Sequence, residues 1–174
     1  MSDSSRPKLN LPELGRIGQI CVVVRDVDAA VRSFWHNLGI GPWWIYNYQP
    51  PLVRRMTLRG KVLDYRMRLA FTPGLVPQFE LVQPLEGDTI YKEFIDQHGE
   101  GLQHLGVFAH DFDDALRKAE AAGYSVIQSG HGFGPDGDGH YAYLSTEDDV
   151  STIFELIDPP ARRHPPEYIY PPED

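Results

Sequence analysis

The sequence predicts an α+β fold of two tandem βαβββ modules whose curved mixed sheets enclose a cleft. Three observations lead there. The segments "GQICVVVRDVDAAV" (18–31) and "QHLGVFAHDFDDAL" (103–116) share one pattern, an apolar strand, an aspartate and an amphipathic helix. The hexapeptides "FELVQP" (79–84) and "FELIDP" (154–159) close the two stretches alike. Between these landmarks, each stretch reads as strand, helix and three strands. The expected organisation is an N-terminal arm at 1–14, a first module at 15–84, a linker helix at 85–101, a second module at 102–159 and a Pro-rich tail at 160–174.

Taken in order, the polar residues 1–14 predict a loose arm. "IGQICVVV" is β-branched and apolar, a largely buried strand. Asp26 is a natural N-cap, and Val27, Ala30, Val31, Phe34 and Leu38 have helical spacing up to Gly39, which stops the helix. "PWWIYNYQ", "KVLDYRMRLAFT" and "QFELVQ" follow as extended segments. "TIYKEFIDQHG" predicts the linker helix. The second module runs through "HLGVFAH", a helix from Asp111 ending before Gly123, and the strands "YSVIQ", "HYAYLS" and "TIFELI". The tail carries too much proline for a helix or a central strand. "GHGFGPDGDGHYAY" (130–143) is read as a loop near the cleft mouth; with no lysine and helix start after it, it is not a phosphate loop.

Composition bounds the partners. The chain has 174 residues and a formal net charge of −9, which disfavours nucleic acid and anionic membranes. No stretch approaches the length of a membrane span, and the opening residues lack a signal peptide's apolar run, so a cytoplasmic location is expected. The single cysteine, Cys21, can form no internal disulfide, and in "ICVVV" it reads as a packed thiol.

Strand parity then locates chemistry. Alternation places Glu80 on the face opposite Phe79 and Leu81, hence on the concave side away from the helix. The same argument applies to Glu155, while Gln19 and His104 occupy matching places in the two first strands, each seven residues before its helix-capping aspartate. Packing the modules about a pseudo-twofold axis brings the four together. Two carboxylates side by side are costly to bury unless something positive neutralises them, and a divalent cation does so with an imidazole and an amide oxygen completing a hard, mixed set. Singly, each residue reads as an ordinary polar side chain; jointly they point to a metal site. Counting parity back from Glu80 puts Arg66 and Arg68 on the same face, with Tyr141 and Tyr143 at the equivalent positions of module two. That basic and phenolic lining suits an anionic small molecule; the alternative is a solvated hairpin whose arginines pair with surface acids.

The paired modules, with "IGQICVVVRDVDAA" and "GLQHLGVFAHDFDDA" opening them and "FELVQP" and "FELIDP" closing them, resemble the vicinal oxygen chelate superfamily, which includes glyoxalase I, methylmalonyl-CoA epimerase, extradiol dioxygenases and fosfomycin and bleomycin resistance proteins. The resemblance spans about 15–159. It implies one divalent metal ion (Zn, Ni, Co, Mn or Mg) held by Gln19, Glu80, His104 and Glu155, and a homodimer. A dioxygenase site would want His where Gln19 stands. The epimerase pattern has a separate glutamate base, and the residue aligned with it is Arg68. The set Gln, Glu, His, Glu is similar to that of glyoxalase I, where the ligand carboxylates move the substrate proton. The implied activity is that of an isomerase, epimerase or lyase moving a proton alpha to a carbonyl, with Glu155 and Glu80 as the catalytic pair. The alternative is a metal-free binding or resistance protein of the same fold that sequesters a small molecule.

Overall fold

The computed structural model describes residues 6–172 of the chain. Helix α1 (Leu11–Leu14) leads into strand β1 (Gly15–Val23), helix α2 (Val27–Leu38), strand β2 (Trp43–Tyr48), a hairpin of β3 (Arg55–Leu58) and β4 (Lys61–Val62), and strands β5 (Arg66–Phe71) and β6 (Gln78–Glu86). Helix α3 (Ile90–His98) connects to β7 (Gly101–Ala109), helix α4 (Phe112–Ala121), β8 (Val126–Phe133), β9 (Gly139–Leu144), the short helix α5 (Glu147–Val150), β10 (Ile153–Asp158) and β11 (Tyr168–Tyr170). The fold is a mixed α+β architecture, as the alternation of periods predicts.

The eleven strands of the described residues join one curved sheet in the order β11-β2-β5-β6-β1-β7-β10-β9-β8-β3-β4. The centre of this order positions the site. Strands β1 and β7, which open the two repeats, pair antiparallel, with Cys21 opposite His104 and Gln19 opposite Gly106. Each is flanked by the strand that closes its own repeat: β6 runs parallel to β1 with Glu80 beside Cys21, and β10 runs parallel to β7 with Glu155 beside Gly106. Because paired residues share a face, the repeat symmetry aims equivalent side chains into one concavity.

The helices start where their caps dictate. Asp26 and Asp111 each accept a hydrogen bond from the backbone N–H three residues on, at 2.9 Å, and the Thr89 hydroxyl caps α3 in the same way at 3.0 Å. Gly39 ends α2 in the left-handed conformation at φ 68°. Val27 and Val31 of α2 pack with Trp43, Ile45, Ala70 and Leu81 on one convex patch. Phe112, Ala115 and Ala119 of α4 pack with Val107, Leu144 and Leu156 on the other. A third cluster, rich in Tyr and Met, fills the concave side. The apolar faces of the amphipathic helices are thus spent on the sheet's outer surface, which leaves its inner surface to the site.

Three local expectations are corrected. Leu9, Leu11 and Leu14 pack against the α4 cluster, so these apolar side chains anchor a segment whose polar composition suggested a loose arm; residues 1–5 lie outside the described residues. The glycine-rich stretch is half strand, because β8 runs on to Phe133 and leaves only a short loop before β9. The segment read as one strand from Lys61 is split, and its first part, β4, leaves module one: it pairs with β3, which pairs with β8 at the far edge of module two. Among the described residues, no helix is long and apolar enough to cross a membrane.

Candidate active site

Four adjacent strands, β6, β1, β7 and β10, bring Glu80, Gln19, His104 and Glu155 together in the concavity. His104 is fully buried, and its Nε2 lies 3.5 Å from Glu80 Oε2 and 3.3 Å from Glu155 Oε2. Neither contact settles the buried atoms: His104 Nε2, Glu155 Oε2 and Gln19 Oε1 all lack a hydrogen-bond partner among the described residues. Buried polar atoms are rarely left so. Gln19 is turned by its amide, which donates from Nε2 to Gln78 Oε1 at 3.1 Å and leaves Oε1 for the cluster. All four groups come from one chain, so the cluster is complete without the homodimer that the resemblance implies.

The electrostatics agree with this geometry. Burial pushes the Glu155 carboxyl above its ordinary range; His104 opposes the rise and Glu80 adds to it. Burial disfavours an imidazolium at His104, yet neighbouring Cys21 and Glu155 hold its pKa well above the usual histidine value. Burial thus favours the neutral carboxyl at Glu155, while its acidic neighbours favour the protonated imidazole at His104. Cys21 Sγ, a Glu80 oxygen and a His104 nitrogen also lie within 4.8 Å of one another, but burial pushes the thiol up to about 12, and Cys21 is absent from the cavity wall that Gln19, Glu80 and Glu155 line. The donors facing the cavity are therefore oxygens, with the His104 nitrogen behind them. That set fits a borderline or hard divalent cation.

Two residues invisible to pattern reading complete the arrangement. Gln103 Oε1 accepts from His104 Nδ1 at 2.5 Å, which leaves Nε2 to face the carboxylates, protonated in the metal-free cluster and available as a ligand once a cation displaces that proton. Partners of this kind orient ligating histidines. In Gln103→Leu, affinity for added Zn or Co is expected to fall by about 10- to 100-fold, in a metal titration, and leaving His104 Nδ1 unpaired should cost about 1–3 kcal/mol in a urea melt. The other is Gly106. A Cβ there would stand 2.7 Å from Gln19 Oε1 and 2.8 Å from Gln19 Cβ, so the glycine opens the space that Gln19 fills. Gly106→Ala should cost about 1–3 kcal/mol in a urea melt through overpacking and should weaken metal binding by displacing the amide.

The cavity measures about 50 Å³ and is walled by Met67, Leu69 and Phe71 of β5, by Tyr141 and Tyr143 of β9, and by Tyr48, Phe133 and Arg163. Tyr141 and Tyr143 thus stand where strand parity predicts; they share a face with Glu155 and Ile157, their cross-strand partners. Their hydroxyls are engaged at 2.7 Å by Tyr65 and Tyr91. Arg66 and Arg68 do not line the cavity. Phe71 pairs with Glu80, so Phe71, Leu69 and Met67 share its face and the arginines point away. Parity cannot be carried through the turn at 72–77, whose length resets it. Arg66 is held by Gln49 and Glu86 on the surface, and Arg68 by Asp28 and Glu167.

Comparison with known proteins follows the same line. The family described as "Glyoxalase/Bleomycin resistance protein/Dioxygenase superfamily" matches residues 18–143. No curated protein matches in sequence. Among solved structures, methylmalonyl-CoA epimerase from Mycobacterium tuberculosis is 20% identical, with 85% of this chain and 90% of that chain covered, at a TM-score of 0.57. A hypothetical protein from Bacillus halodurans is 15% identical, covering 86% and 98%, at a TM-score of 0.63. A methylmalonyl-CoA epimerase variant from Streptomyces coelicolor, in complex with 2-nitronate-propionyl-CoA, is 18% identical, covering 87% and 99%, at a TM-score of 0.59. At these identities the likeness concerns the fold. With the family match extending over most of both repeats, the chain belongs to the glyoxalase/bleomycin resistance protein/dioxygenase superfamily.

Proposed function

We propose that this protein is a divalent-metal-dependent isomerase, epimerase or lyase that moves a proton on the carbon next to a carbonyl of a small anionic molecule. The observation that carries this reading is the convergence of Glu80 and Glu155 on His104 Nε2, with three buried polar atoms lacking partners. Gln19 Oε1, His104 Nε2 and the two carboxylates would hold the ion. When bound, such an ion supplies Lewis acidity, which polarises a substrate carbonyl and lowers the barrier to removing the adjacent proton.

The protein's own groups supply the rest. Glu155, buried and 3.3 Å from His104 Nε2, with burial favouring its neutral form, suits a group that takes and returns a proton. Glu80, across His104, supplies the second carboxylate. Met67, Leu69 and Phe71 present only apolar surface from β5, so no base comes from that strand; Arg68, aligned with the epimerase base, is outside. The division of labour is thus the glyoxalase I-like one, with proton transfer by Glu80 and Glu155. Tyr141 and Tyr143 wall the site and exclude water.

A metal-free sequestering role leaves Gln19 Oε1, His104 Nε2 and Glu155 Oε2 buried without partners, at about 1–3 kcal/mol each. The test follows solvent deuterium uptake into thiohemiacetals, 2-substituted acyl-CoA esters and 2-oxo acids by NMR, with metal-loaded and chelated protein. Metal-dependent uptake into any of them supports the reading. Binding without metal and without exchange rejects it in favour of sequestration.

A further inference from the structure

Arg163 is the one cationic side chain among the residues lining the cavity, and it comes from the proline-rich tail. It is half-buried, with its guanidinium 4.5 Å from the centre of the Phe71 ring. Among the described residues no carboxylate pairs with it, whereas its neighbour Arg162 is bidentate to Asp136. The tail is fastened on both sides of Arg163. Before it, the Ala161 N–H donates to Asp138 Oδ2 at 2.9 Å, in the loop between β8 and β9. After it, the His164 carbonyl accepts from Tyr46 Oη at 3.1 Å, and β11 pairs with β2. The tail is therefore a strap between the edge of module one and a loop of module two, and it delivers into the cavity wall one guanidinium with no carboxylate partner among the described residues.

The position of that charge is informative. A second small pocket adjoins the cavity and shares Tyr48, Phe133 and Arg163 with it, while Glu80 and Glu155 line only the first. Buried Tyr48 feels Arg163 and Glu80 in opposite senses. The cavity thus has an acidic end at the four-residue cluster and a cationic wall towards the strap, with apolar Phe71 beside the guanidinium. Its volume is about 50 Å³. That is far below the several hundred Å³ of a pocket for a large ligand.

We infer that Arg163 binds the carboxylate of a short oxo acid whose carbonyl and adjacent C–H face Glu80 and Glu155. The inference rests on the proposed function, since it names the substrate class of that site. A guanidinium matches a carboxylate with two parallel hydrogen bonds. Because Arg163 has no acidic partner in the cavity, a substrate carboxylate displaces no existing ion pair. The cavity volume of about 50 Å³ sets the preference for a short acid over a glutathione or coenzyme A conjugate held within it.

The experiment uses the full chain loaded with Co(II), with 2-oxobutyrate and its neutral amide as probes, followed by calorimetry and by the cobalt absorption spectrum. Arg163→Ala should weaken 2-oxobutyrate binding by about 10- to 100-fold, the loss expected of a charged hydrogen-bonded pair. Arg163→Lys should recover part of it, and affinity for the amide should not change. The cobalt spectrum without probe should be the same in wild type and both variants, which also shows that the variants fold and keep the cluster. Equal 2-oxobutyrate affinity in wild type and Arg163→Ala overturns the inference, as does a wild-type protein that takes propionyl-CoA but not 2-oxobutyrate. Failure of the wild-type protein to bind Co(II) overturns instead the proposed function on which it rests.

Discussion

Glu155→Gln is expected to slow metal-dependent deuterium exchange into substrate by about 10²- to 10⁴-fold, the usual contribution of a positioned acid–base group. The fold should survive. Glu155 is buried, one of its oxygens has no partner, and burial already disfavours its charged form. A neutral amide of the same shape removes that desolvation cost, so the melting temperature of the metal-free variant should equal or exceed that of the metal-free parent. The two readouts separate chemistry from structure. Exchange at the parental rate in Glu155→Gln would remove this carboxylate from the proton path. A collapse of the metal-free melting temperature would instead make it a structural residue.

Metal loading is expected to produce the second large effect. A cation that binds only the folded chain stabilises it by about 4 kcal/mol at a thousand times its dissociation constant. For a domain of this length that corresponds to a rise of about 8–16 °C in melting temperature. A chelator should reverse the rise, and His104→Ala should abolish it, because the imidazole is the group both carboxylates approach. Scanning calorimetry with Zn, Ni, Co, Mn and Mg in turn ranks the ions. No shift with any of them, in protein first stripped by chelator, would contradict a metal site at this cluster.

What could be read in the chain and what could not divides along a physical line. Gln19, Glu80, His104 and Glu155 were legible because each is a polar residue inside an apolar strand, and because the repeat names its counterpart. Alternation within one strand fixes the face, and duplication fixes the partner. Arg66 and Arg68 were misplaced by the same tool carried too far: the turn at 72–77 breaks the count, and pairing of Phe71 with Glu80 sets the true face. Gln103 and Gly106 gave no signal. A glutamine next to a histidine and a glycine in a strand acquire meaning only from the atom across from them, here His104 Nδ1 and the Gln19 side chain. Arg163 was hidden most completely, since proline-rich composition argues against a central strand or helix but says nothing of where an irregular segment, tied down by Asp138 before it and by β11 after it, sets a side chain.

By itself, then, the amino-acid order determined the two βαβββ repeats, the caps that start their helices, and the four side chains that the repeat symmetry makes equivalent. These follow from short-range alternation and local hydrogen bonding, which a chain carries wherever it goes. Only the tertiary structure decided that Met67, Leu69 and Phe71 rather than the arginines face Glu80, that Gly106 makes room for Gln19, and that the tail brings Arg163 to the cavity. Those outcomes depend on register between strands distant in sequence, and register is a property of the packed sheet as a whole.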